Sequence, residues 1–205
     1  MTDVATTERS ALADLLTDLG PDAPTLCEGW LTRDLAAHLV LRERRPDAAP
    51  GIFLKRVAPH TAQVQRTIAG RPWPELVETV RRRPWWIAPV DGLINSTEYF
   101  IHHEDVRRAQ LDWAPRAIAP DVAAVLWRFV RPRARLVLRR VPGAVTVTAP
   151  GFGSVSAGKG GPPVTLIGHP QELLLFLTGR QLHTTLGLTG PEAIVSRMRS
   201  ARYGL

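Results

Sequence analysis

Asn95-Ser-Thr-Glu-Tyr-Phe-Ile-His-His-Glu-Asp-Val-Arg-Arg108 is the stretch on which the reading of the whole chain turns. On a helix, Glu98 and His102 are four residues apart and stand one turn above each other on one face. At about 100° per residue their azimuths differ by only about 40°. Asp105 falls near the same line, whereas His103 points about 140° away from Glu98. A carboxylate and an imidazole at this spacing make half of a metal site, and a second helix can supply the rest. The candidate supplier is His38, in Thr32-Arg-Asp-Leu-Ala-Ala-His-Leu39.

Working outward, the central stretch lies in a helix expected from about Gly92 to Leu111. Before it, an amphipathic helix is expected over 3–19, capped by Thr6 or Thr7, with Leu12, Leu15, Leu16 and Leu19 as its apolar stripe. Gly20-Pro21 ends it. A second helix is expected from Thr32 to Arg45, with Leu35, His38, Leu39 and Val40 facing inward and Pro46 as its stop. Pro59 can start a further helix that Gly70 breaks. Another begins with Pro74 and closes on arginines at Arg81 to Arg83, the charge order a helix dipole favours.

After Pro115 the pattern changes. Asp121 to Arg131 reads as a helix. Leu136–Val141 and Ala144–Thr148 alternate as strands about a Pro142-Gly143 turn. Gly153–Ala157 and Pro163–Ile167 read as two more strands. Pro170 to Gly179 and Pro191 to about Ser200 read as helices. The expected class is α+β: a helical bundle over 1–113, then a small α+β domain over 114–205.

The 205 residues are 44 % hydrophobic, enough for a sizeable core. Cys27 is the one cysteine, so no internal disulfide can form, as expected of a cytoplasmic protein. The first residues lack an apolar signal core, and Leu173–Leu177 is far too short to span a bilayer, so no membrane partner is expected. The net charge is +7, and only Lys55 and Lys159 are lysines. The arginines are spread along the chain instead of forming one basic face, so no nucleic-acid partner is expected. Such an Arg-, Ala- and Pro-rich composition resembles that of GC-rich actinobacteria.

His38, Glu98 and His102 would offer two imidazoles and one carboxylate, leaving a coordination position open in the catalytic manner. N and O ligands suit zinc best, with iron(II), nickel, cobalt or manganese conceivable. Tyr99 and Asp105 can orient a ligand from behind. By spacing alone, Glu98 and His102 read equally as a helix-surface pair, and His38 as a half-buried structural histidine.

Thr25-Leu-Cys-Glu-Gly-Trp30 followed by Arg33-Asp-Leu-Ala-Ala-His38 resembles the first signature of the DinB-like mycothiol-dependent maleylpyruvate isomerase family, and 98–108 resembles its second. The resemblance implies a DinB-like four-helix bundle holding a metal, usually zinc, on His38, Glu98 and His102. It implies mycothiol, a sugar-linked cysteine conjugate of actinobacteria, as thiol cosubstrate and a small electrophile as its target. It also implies a sterol-carrier-like second domain, matched at Gly168, Leu173–Leu177 and Gly179-Arg180. Leu31 stands where the family has a capping threonine, and Thr32 can cap one residue later. The family's catalytic arginine has five candidates: Arg42, Arg81, Arg82, Arg83 and Arg107. The same residues also allow a metal-dependent hydrolase with Asp105 or Glu104 as base, or a non-catalytic metal- or ligand-binding module.

Among lesser features, Gly153-Ser-Val-Ser-Ala-Gly-Lys159 departs from a phosphate loop at Gly160 and reads as a glycine-rich hairpin. Cys27 reads as a small packing residue. Trp85 and Trp86 are expected to cap one end of the bundle, and Trp30 to anchor the loop before the second helix.

Overall fold

A computed structural model describes residues 3–203. The chain divides into two compact units, Asp3–Ala114 and the residues from Pro115 onward.

In the first unit, α1 spans Val4–Leu19. Its cap is Asp3, not a threonine: a carboxylate oxygen of Asp3 accepts the Thr6 N–H at 3.2 Å, and the Thr6 hydroxyl donates to its other oxygen at 2.6 Å. Leu12 and Leu16 are fully buried, as the apolar spacing demands. Helix α2 spans Thr32–Arg44. Leu31 takes the capping position, and the Asp34 carboxylate accepts its N–H at 3.1 Å. The expected shift of the cap to Thr32 does not occur, because the Thr32 hydroxyl is spent on the Gly20 carbonyl at 2.6 Å.

Helices α3 (Ala58–Ala69) and α4 (Trp73–Arg81) follow. The expected single helix over Gly92–Leu111 is broken. A short α5, Asp91–Ile94, stops at Asn95, and α6 restarts over Ser96–Arg107. Asn95 causes the break: its amide donates to Glu43 at 2.8 Å and to Asp91 at 2.6 Å, and such side-chain bonds compete with helical continuation. Helix α1 packs on α6 and α4, and α2 on α3 and α4, which closes the bundle. The exposed Trp85 and Trp86 stand edge to face with ring centroids 5.9 Å apart. They do not cap the bundle; Pro84 leads them into a surface turn.

In the second unit, α7 spans Pro120–Leu138 and runs through the residues expected to begin a strand at Leu136. Ala123, Leu126, Trp127, Val130, Ala134 and Leu138 form its buried stripe, a helical period that overrides the local β preference. Strands β1 (Ala144–Ala149), β2 (Gly153–Ala157), β3 (Pro163–Ile167) and β4 (Gly187–Thr189) form one sheet in the order β2-β1-β3-β4. The first strand is antiparallel to β2 and parallel to β3, so the glycine-rich 158–161 segment passes from one side of β1 to the other and is not a hairpin. A Cβ on Gly158 would meet the Gly143 carbonyl oxygen at 2.1 Å, so this crossing requires glycine. Helix α8 (Pro170–Phe176) is buried along its whole length, and α9 (Glu192–Ser200) closes the unit. Among the described residues, no helix is long and apolar enough to cross a membrane.

Candidate metal centre

Helix α6 is buried on nearly all sides, though its sequence is polar. Burial of so many polar groups demands partners. His103 bonds Glu8 on α1 through Nδ1 at 2.7 Å. Glu104 accepts from Arg108 at 2.6 Å and from Arg107 at 3.0 Å. Tyr99 places its ring under the Arg9 guanidinium, 4.0 Å from the ring centroid, and its hydroxyl accepts from the same arginine. Tyr99 therefore belongs to a buried network with Arg9 and does not stand behind the candidate ligands as expected, because it faces α1.

The other face of α6 meets α2. His38 and Arg42 sit four residues apart on α2, and Glu98 and His102 four apart on α6, so each helix presents one turn to the other. Glu98 Oε1 lies 3.5 Å from His38 Nε2, 3.3 Å from His102 Nε2 and 3.3 Å from Arg42 Nε. The two imidazoles meet nearly edge to face, with centroids 5.5 Å apart. The other side of His38 is covered by Trp30, whose ring centroid is 5.1 Å away. Candidate ligand atoms of His38, Glu98 and His102 all lie within 4.8 Å of one another.

Asp105 stands behind His102: its Oδ2 is 2.9 Å from His102 Nδ1. The same oxygen accepts from the Cys27 thiol at 3.3 Å, and Cys27 Sγ is 3.9 Å from His102 Nδ1. The loop is pinned there by its backbone, since Leu26 N–H donates to the Asp105 carbonyl at 3.0 Å. Cys27 is thus part of the cluster and not merely a packing residue. Its sequence offers no sign of this, because the contact spans more than seventy positions. Of the five candidate arginines, only Arg42 reaches the cluster. Arg81 pairs with Asp14 and Glu78, Arg82 with Glu78, Arg83 with Asp3 and Asp91, and Arg107 with Glu104. Arg42 also donates to the Asn95 side chain and to the Ile94 carbonyl, the latter at 2.9 Å.

The electrostatics separate the two histidines. Burial pushes the Glu98 carboxyl up, but bonds to His102 and His38 and the charge of Arg42 outweigh it and hold Glu98 well below the usual carboxylate range. Burial pulls His38 below the ordinary imidazole value. Burial acts on His102 the same way, yet its bonds to Asp105, Cys27 and Glu98 carry it well above. The result is an ionised carboxylate between a neutral imidazole and a strongly basic one.

Two of the three ligand separations match those around a tetrahedral ion. Three ligand atoms at about 2.1 Å from such an ion stand about 3.4 Å apart, and the two separations from Glu98 Oε1 to the imidazole nitrogens are 3.5 and 3.3 Å.

No protein-family model and no curated protein sequence matches the chain. Two solved structures do. The crystal structure of the mycothiol-dependent maleylpyruvate isomerase superposes with a TM-score of 0.55 at 15 % identity, covering 91 % of this chain and 90 % of that one. A histidine-to-alanine mutant of the isomerase gives 0.52 at 16 % identity over the same shares. Such low identity speaks for architecture alone: the chain has the fold of the mycothiol-dependent maleylpyruvate isomerase.

Proposed function

We propose that His38, Glu98 and His102 hold a divalent metal, zinc by preference, and that the chain is a thiol-dependent isomerase or transferase acting with mycothiol or a similar low-molecular-weight thiol on a small electrophile. The observation that carries this reading is the position of Glu98 Oε1, at 3.5 and 3.3 Å from two imidazole nitrogens on facing helices. The fold shared with a mycothiol-dependent enzyme supports the choice of thiol.

A divalent ion bound there would favour the thiolate of a coordinated thiol near neutral pH. The chain's own residues prepare the place. With Nδ1 held by Asp105, His102 turns Nε2 toward Glu98, and a bound ion would take the place of the proton that Nε2 carries there. The bonds from His102 and His38 hold Glu98 ionised, and Arg42, 3.3 Å from the same oxygen, adds its charge. Trp30 covers one side of His38. Hydrolysis is the weaker reading: Asp105 is fully buried on His102 and Cys27, and Glu104 is fully buried on Arg107 and Arg108, so neither is placed to take a proton from water.

The test is elemental analysis of wild type, His38→Ala and His102→Ala, purified without added metal or affinity histidines. About one equivalent in wild type and roughly a tenth of that in either variant is the expected result. Zinc-reconstituted wild type should then bind a low-molecular-weight thiol by calorimetry. A wild-type protein that takes up no zinc reduces the three residues to buried polar groups. One that binds zinc but neither binds nor turns over a thiol is a metal-binding module.

A further inference from the structure

A cavity of about 330 Å³, with Arg42 but neither histidine of the cluster in its lining, opens in the first unit. Its wall is made by Pro46, Pro50, Ile52, Phe53, Ile87 and Ile94, with Arg42 and Glu43 as its only charged members. Small-molecule sites have this size and this apolar character.

The two charged members bring no unspent charge. Both oxygens of Glu43 accept from Arg9 at 2.7 Å, and one also accepts from Asn95. Arg42 is shared among Glu98, the Ile94 carbonyl and Asn95. An anionic ligand would find only the N–H groups of Arg42 left over from these contacts, beside the like-charged Glu43 carboxylate, whereas a neutral apolar one meets the rest of the lining. The rim points the same way, because Phe53 is 65 % exposed and Ile94 40 % exposed at the mouth of a concavity. Large apolar side chains left in water gain by covering an apolar ligand. Position completes the argument: Arg42 lines the cavity and also touches Glu98, so the pocket lies one side chain from the cluster.

We propose that this cavity is a substrate subsite for a neutral aryl or branched-alkyl group, and that the chain's electrophile is therefore an apolar unsaturated carbonyl compound and not a small dicarboxylate. The reactive end of that compound would extend past Arg42 toward His38 and His102. This second half rests on the metal reading; occupancy of the cavity does not.

The experiment uses the full chain, free of metal, with isoleucine methyl groups labelled for NMR. Benzylideneacetone, a neutral aryl enone, and fumarate, a small dicarboxylate, are titrated separately. Saturable shifts of the Ile52, Ile87 and Ile94 methyls with the enone alone are expected. Ala49 also lines the cavity, and Ala49→Phe should fill it and weaken enone binding roughly tenfold or more. A second variant at the exposed rim, Phe53→Ser, should weaken binding while leaving the fold intact. Zinc content of both variants should equal that of wild type. No saturable methyl shift, fumarate acting on the same methyls, or full affinity in both variants overturns the proposal. Intact methyl shifts in a protein that takes up no zinc would instead defeat the metal reading and leave the subsite standing.

Discussion

Arg9 is fully buried, and its guanidinium reaches Glu43 at 2.7 Å, Asp91 at 3.0 Å and the Tyr99 hydroxyl. Removing one member of a buried ion network strands the others without water, at a cost of about 3–5 kcal/mol. Arg9→Met should therefore lower the unfolding free energy of the first unit, read from urea denaturation, by that much, while the double variant Arg9→Met, Glu43→Leu should recover part of the loss. A measured loss below about 1 kcal/mol would mean that water enters the network. None of this network was legible in the sequence, since its members come from α1, α2, α5 and α6. By contrast, Glu98 and His102 share a face by the arithmetic of one helical turn, and His38 came to notice through a local motif. The place of Cys27 was hidden, and Arg42 stood as one of five candidates, because a residue's neighbours across helices follow from packing and not from spacing along the chain. Arg42 lies one turn after His38 and could have been singled out from the other arginines on that ground.

At the scale of elements, the α helices of the first unit were readable where proline, glycine and apolar period agreed. The break at Asn95 was not, because an asparagine inside a helical pattern stops it only when its amide finds partners elsewhere, here Glu43 and Asp91. In the second unit, Leu136–Val141 alternates like a strand, but Ala134 and Leu138 continue the buried helical stripe begun at Ala123, and that longer period wins. Strand β4 escaped notice because Leu188 is its one buried residue, too little for any alternation to register. Helix α7 carries Pro132 in its interior, exposed and lacking the N–H that would bond one turn back. Pro132→Ala restores that bond without touching the core. It should stabilise the second unit by about 1–3 kcal/mol, visible as slower amide hydrogen exchange along α7. Unchanged or faster exchange would show that the ring has a packing role.

At the scale of the molecule, each unit holds one of the chain's two tyrosines, and neither phenol is ordinary. Burial raises Tyr203 to about 12, and burial beside Glu43 lifts Tyr99 well above its usual value. In the unfolded chain both ionise near the ordinary value of 10.0. Between about 10 and about 12 the unfolded state therefore holds fewer protons than the folded one, and stability must fall as pH rises through that window. Ultraviolet titration of the folded protein should show no tyrosinate step near 10, whereas the protein in denaturant should show both phenols there. A full step near 10 in the folded state would contradict the burial of both rings. The half-buried thiol beside His102 has a separate, practical consequence. Because Cys27 is the sole cysteine in 205 residues, a sulfhydryl-directed dye attaches at a single address next to the cluster. The chain thus carries its own anchor for an optical reporter, and no engineered handle is needed to watch the site fill and empty.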